Sequence, residues 1–203
     1  MALPNERSTP ELQALQVKLK AATSPEIANW PQPTKDDLVI IGGIVVLYSY
    51  IDLNLRRIVE VLELCGRLDM RKRKMANATI TEVERAILSL PDWAPANRFA
   101  LGQVAENRGI RNLVAHFAVR RFPADNAFVL ITKSARDFKR EFGYEPEPGE
   151  VFTAILQVSQ LRELLRSIEG VLKWLSVATK EIEAQWVAQR TKRASPDGHN
   201  PAR

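Results

Sequence analysis

Apolar residues recur every three or four positions through most of this chain. That is the period of helices with one buried face. Ile44, Leu47, Ile51, Leu55, Ile58 and Leu62 form one series and predict a long helix from about Lys35 to Leu68. Gly42 and Gly43 either weaken its first turns or let another helix approach closely. Leu161, Leu164, Leu165, Ile168, Leu172 and Leu175 form a second series and predict a last long helix from about Ala154 to Gln189. Trp174 and Trp186 either extend its face or mark a contact with another subunit. Between the two, Thr81-Glu82-Val83-Glu84 matches a capping box for a helix to about Leu90, which Pro91 to Pro95 end around Trp93. A further helix should begin near Asn97, with Phe99, Leu101, Val104 and Ala105 as its apolar positions. The expected class is all-α, an antiparallel bundle with long first and last core helices. One stretch breaks the period. Phe128 to Thr132 has β character, and Val151 to Thr153 can pair with it as a small hairpin insertion within residues 127–153. Between those strands lie the charged segment Asp137 to Phe142 and a loop from Glu145 to Gly149.

The ends of the chain read differently. Thr9 is a good N-cap and Pro10 suits the first helical position, so a short helix should run to about Ala22. Pro25, Pro31 and Pro33 then punctuate the chain. Residues 1–35 are thus an N-terminal extension, which packs either on the domain or on a partner. Residues 36–190 form the helical domain. Residues 191–203 are a tail rich in polar residues, Pro and Gly, expected to be disordered.

Composition narrows the picture modestly. The 203 residues carry a net charge of +5, compatible with a phosphate-bearing partner but common without one. Cys65 is the only cysteine, so no intrachain disulfide can form. One cysteine and one histidine in the folded region fall short of the usual zinc ligand count, so no metal and no cofactor is expected. The first twenty residues lack the basic start and apolar run of a targeting segment. Leu38 to Tyr50 is the most apolar stretch, too short to span a bilayer and followed by Asp52, Arg56 and Arg57. It is expected to be a core helix, and the protein to be cytoplasmic with no membrane partner. Arg71 to Lys74 are four successive cations, read as a solvated loop rather than a phosphate contact.

The candidate chemistry lies in Gly109 to Phe117. His116 is one of two histidines, and the other, His199, sits in the polar tail. At about 100° per residue, Ile110, Leu113, Val114 and Phe117 form an apolar stripe, with Arg111, Asn112 and His116 outside it. Asn112 and His116 are four apart and so neighbours on one surface. Arg111 stands roughly 140° from His116 around the helix. One helix therefore brings them near without contact, and a partner helix or a second copy can close the gap. A break at Gly109 would put Arg111 at a fresh helix N-terminus, which favours an anion. Otherwise Gly109 sits in a continuous helix at about 1 kcal/mol cost.

Arg-Asn-x-x-x-His in a helical chain of this size resembles the HEPN superfamily, whose name stands for higher eukaryotes and prokaryotes nucleotide-binding. Members carry Arg, a polar residue, then His after four to six intervening positions. Here four intervene, Asn112 to Ala115. The resemblance covers mainly residues 38–121 and the long helix near the C-terminus. It implies a metal-independent endoribonuclease with Arg111 and His116 catalytic and Asn112 in support. RNA supplies its own 2′-hydroxyl nucleophile, so the enzyme need only move protons and stabilise charge on phosphorus. Histidine does the first near neutral pH, and arginine does the second with a forked pair of donors. The expected products are a 2′,3′-cyclic phosphate and a 5′-hydroxyl. The family pairs two motif helices across one cleft, which implies a homodimer with a composite site. Arg108 and Arg120 are candidates to extend the positive surface along RNA, although each is more simply a solvated arginine. Arg121, nearer the apolar stripe, is a candidate to cap the helix end. Asp52 is either part of an ordinary helix pair with Arg56 or a carboxylate that orients Arg111 or His116. The family also implies toxins with antitoxins, anti-phage effectors and regulatory partners. One subgroup carries a tyrosine two residues after the histidine, to which a partner enzyme attaches AMP, and here that position is Ala118. The rival expectation is a non-catalytic helical module for dimerisation or partner binding.

Overall fold

The computed structural model describes residues 9–64, 95–132 and 152–194, with residues 134, 136, 139 and 143 between them. The Arg71–Lys74 run, the Thr81 capping box, Trp93, most of Asp137–Phe142, the 145–149 loop and residues 195–203 with His199 lie outside the described residues, whereas residues 191–194, expected to be disordered, continue the last helix. The described elements are mostly helical, with one small sheet. They are α1 (Pro10–Ala21), α2 (Ser24–Ala28), α3 (Lys35–Leu64), α4 (Pro95–His116), β1 (Ala118–Arg121), β2 (Ala127–Thr132), β3 (Phe152–Gln157) and α5 (Val158–Ala194). They fall into two compact units. Met1–Val46 with Glu106–Ile168 make one, and Leu47–Ala105 with Glu169–Arg203 make the other.

The first unit is built around the sheet, whose order is β1-β2-β3 and whose pairings are both antiparallel. The expected hairpin is β2 with β3, and Thr132 opposite Phe152 sets its register. Among the departures from the sequence expectation, α5 runs to Ala194 rather than Gln189. Strand β3 continues to Gln157, so α5 starts at Val158 rather than Ala154. A third strand, β1, stands where the motif helix was expected to continue. Nearly every residue of β2 is buried, which explains its unbroken apolar run. Ala127, Val129 and Ile155 point to one side, where they meet Leu12, Leu15 and Leu19 of α1, Ile27 of α2, and Phe122. Residues 10–33 thus pack on the sheet. Thr9 caps α1, its hydroxyl accepting from the Leu12 N–H at 3.2 Å. Thr23 and Glu26 form a capping box that starts α2, a helix the proline spacing did not foretell. Trp30 stacks at a tilt on Phe122 with ring centroids 4.7 Å apart. Lys18 adds an exposed ion pair to Asp125 at 2.7 Å.

The second unit is helical among its described residues. Ile51, Leu55, Ile58 and Leu62 of α3 are buried, as are Leu101 and Val104 of α4 and Val171 and Leu175 of α5. The buried Tyr48 hydroxyl donates to the Val104 carbonyl at 3.2 Å, tying α3 to α4. Arg57 donates to Glu183 of α5 and to Glu60 one turn on. Helix α3 is long and apolar enough, by length and composition, to cross a bilayer. Its inner positions Ile44, Tyr48, Ile51, Leu55 and Ile58 are fully buried in the protein, but only 33% of its apolar window is buried, less than the core helix expected from the sequence.

Candidate functional site

The motif occupies the last two turns of α4. Helix α4 runs unbroken from Pro95 to His116, so Gly109 does not interrupt it and Arg111 is not at a fresh N-terminus. Leu113, Val114 and Phe117 are buried and Ile110 is half-buried, which fixes the rotation of the helix as the apolar spacing predicts. The Phe117 N–H still bonds the Leu113 carbonyl at 2.9 Å, and the chain then turns into β1. The helix therefore ends at His116.

That geometry leaves His116 exposed in the final turn. Asn112 and Arg111, both half-buried, sit one turn earlier. The Arg111 Nη1 donates to the Asn112 Oδ1 at 3.0 Å. Its Nε–H is buried and has no acceptor among the described residues. Burying such a donor without a partner costs about 1–3 kcal/mol, so a protein usually supplies one or keeps the group for a ligand. Asn112 thus holds one arm of the guanidinium and lies four residues, about one turn, before His116 on the helix. Arg108 is half-buried on the same helix, one turn before Asn112, and is engaged by interactions of its own.

The remaining sequence candidates are placed elsewhere. Arg120 lies on β1 and faces the N-terminal arm. It donates to the Ala28 carbonyl at 3.2 Å and to the Gln32 side chain at 2.8 Å. Arg121 is not a helix cap. It pairs with Asp37 at 2.6 Å and reaches the Asn126 side chain at 3.1 Å, while its N–H bonds the Pro31 carbonyl at 2.8 Å. Asp52 is half-buried on α3 and belongs to the second unit.

Asp37 is the one acidic side chain buried among the described residues, at 2% exposure. Its carboxylate accepts from the Thr34 N–H, the Thr34 hydroxyl and Arg121. Burial pushes its pKa up, but the two Thr34 bonds and Arg121 outweigh burial and hold it below the ordinary carboxylate value. This is a structural clasp between the start of α3 and β1. Thr34 followed three residues on by an acid is a capping pattern visible in the sequence. The Arg121 partner, distant in sequence, carries no local signal. Three cavities of about 340, 460 and 580 Å³ border the arm, and none of the three is lined by Arg111 or His116.

No family model, no curated protein and no solved structure matches the chain.

Proposed function

We propose that the chain is a HEPN-like helical ribonuclease that cuts RNA without a metal, with Arg111 and His116 catalytic and Asn112 positioning them. The observation that carries this is the end of α4. An exposed His116 follows, one turn on, an Arg111 that is held by Asn112 and keeps a buried Nε–H with no acceptor among the described residues. A histidine buried and satisfied within the fold would have spoken for a structural role.

The chemistry follows from those groups. The ribose 2′-oxygen attacks phosphorus as a base removes its proton. The bond to the 5′-oxygen breaks, and an acid returns a proton to that oxygen. Histidine suits either proton transfer. Arginine suits the extra charge on the non-bridging oxygens. Each chain has one histidine in the motif, so a second copy supplies the other proton-transfer group. Arg108 belongs to the RNA-facing side of this reading. Arg120, held by the arm, is assigned no RNA contact, and Asp52 is assigned no role. A cytoplasmic toxin or anti-phage effector, restrained by an antitoxin or another regulatory partner, fits such an activity.

The test is the chemistry of the ends. Wild-type protein should cut a mixed-sequence RNA in EDTA and leave cyclic phosphate and 5′-hydroxyl termini. An all-2′-O-methyl copy should stay intact. Cleavage of the methylated copy, or 5′-phosphate products, would overturn the assignment. A non-catalytic dimerisation module is the second reading, favoured by the apolar outer face of α3. No cleavage of any RNA by a folded dimer would select it.

A further inference from the structure

We infer that Trp30 is a platform on which one base of a single-stranded RNA stacks, at a subsite apart from Arg111 and His116. That the ligand is RNA rests on the ribonuclease reading; the cavity and its ring do not. Both belong to the N-terminal arm, within the first unit. A cavity of about 580 Å³ opens there, bordered by Lys18, Ala21, Ala22, Glu26, Asn29 and Trp30. Its size falls in the range of about 300–1,000 Å³ that small-molecule sites occupy. Trp30 is half-buried, and its ring is the one aromatic group on that border.

The ring is held before any ligand arrives. Phe122 backs it, with ring centroids 4.7 Å apart and planes tilted by 46°. The segment that carries it is fastened to β1 on both sides of Trp30. Arg120 donates to the Ala28 carbonyl at 3.2 Å and to the Gln32 side chain at 2.8 Å. The Arg121 N–H donates to the Pro31 carbonyl at 2.8 Å, and the Trp30 N–H to the Ile27 carbonyl at 3.2 Å. A side chain fixed in advance loses little freedom when a base covers it, so less of the stacking energy is spent on ordering. Arg120 thus acts as a positioning residue for the platform. The platform is also tied to the motif by a short piece of chain. Strand β1 begins two residues after His116, and Phe122 follows it directly. Six residues of extended chain reach at most about 21 Å, which an RNA of a few nucleotides can span.

The lining selects a base over a phosphate. Lys18 and Glu26 bring one charge of each sign, and both are already engaged. Lys18 pairs with Asp125 at 2.7 Å, and Glu26 accepts from the Thr23 N–H at 2.6 Å and the Thr23 hydroxyl at 2.8 Å. A border with no net charge gives a phosphate little hold. What remains is the Trp30 ring, the methyls of Ala21 and Ala22, and the exposed Asn29 amide. A nucleobase matches that set, since its flat face stacks on an aromatic ring and its edge takes hydrogen bonds. The Asn29 amide offers that edge both donors and an acceptor. A base within a duplex has its faces covered by its neighbours, so the substrate here is a single-stranded segment.

The experiment titrates the full chain against a labelled, mixed-sequence, all-2′-O-methyl RNA oligonucleotide, which is not cut, and reads its anisotropy. Trp30→Leu keeps an apolar cover on Phe122 and should weaken binding about 5–150-fold. Trp30→Phe keeps a ring and should stay within about 3-fold of wild type. Ala21→Glu, at an exposed position on the cavity border, should weaken binding as Trp30→Leu does. An abasic oligonucleotide of the same length should bind wild type no better than the intact one binds Trp30→Leu. A wild type that does not bind the oligonucleotide overturns the platform. So does a Trp30→Leu protein with wild-type circular dichroism and wild-type affinity, or an abasic strand that binds as tightly as the intact one. Should Trp30→Leu unfold, unchanged affinity in Ala21→Glu overturns it equally. Binding lost in the variants while no protein cuts RNA keeps the platform and removes the ribonuclease. Cleavage of unmodified RNA by wild type, with binding indifferent to Trp30, does the reverse.

Discussion

Asp37 shows how a single buried group ties the first unit together. Its carboxyl sits below the ordinary value in the folded protein, because Thr34 and Arg121 together outweigh burial. Such a group adds stability above its unfolded pKa of about 3.9 and loses it as pH falls through the lower, folded value. The thermal midpoint of wild type should therefore drop steeply below about pH 4. Asp37→Asn should be less stable at neutral pH and show a flatter acid limb. Equal acid limbs for the two proteins would deny the clasp. Arg121→Met should cost about 1–3 kcal/mol in urea unfolding, since it removes a bond to a buried charge. Ala124 makes a smaller, opposite case. It turns between β1 and β2 at φ 58, where a side chain is strained, so Ala124→Gly should gain up to about 1 kcal/mol. Among the site residues, the motif itself was legible, because helical angles placed Leu113, Val114 and Phe117 inward and left His116 outside. Arg120 and Arg121 were not. Two adjacent arginines carry no local sign of which carbonyls or carboxylates the fold will bring to them.

At the level of elements, the helices were legible because their apolar faces repeat over many turns. Lys35 as the start of α3 and Thr9 as the cap of α1 both stand as the capping and spacing rules predict. Strand β1 was hidden for a physical reason. Ala118-Val119-Arg120-Arg121 follows directly on a helical stripe and has one β-branched residue, and it is a strand because β2 and Pro31 bond it. Its pairing is tertiary, and a local pattern cannot report it. The N-terminal arm was undecided in sequence for the same reason. In the fold, Leu12 is 1% exposed against the sheet, so Leu12→Ala should cost about 2–5 kcal/mol in chemical unfolding. An arm packing on a partner instead would leave that midpoint unchanged. The glycines give a paired test. A Cβ at Gly102 meets nothing within 4 Å, whereas one at Gly43 meets Leu165 at 3.0 Å. Gly102→Ala should stabilise its helix by about 0.5–1 kcal/mol, and Gly43→Ala should gain distinctly less.

At the level of the whole molecule, the chain falls into two compact units, and six large apolar side chains of α3 stay exposed. Charge alone, +5 over 203 residues, says little about RNA, and the weight falls on one helix end. That end makes a sharp claim: a proton-transfer group and a phosphate-binding group, both named, and no requirement for a metal. The most direct measurement compares RNA cleavage in EDTA by wild type, His116→Ala and Arg111→Ala, each purified the same way and shown to be folded. The account predicts cleavage by wild type and a loss of about 10²–10⁴ in rate for His116→Ala, with a comparable loss for Arg111→Ala. Equal cleavage by all three proteins would contradict it.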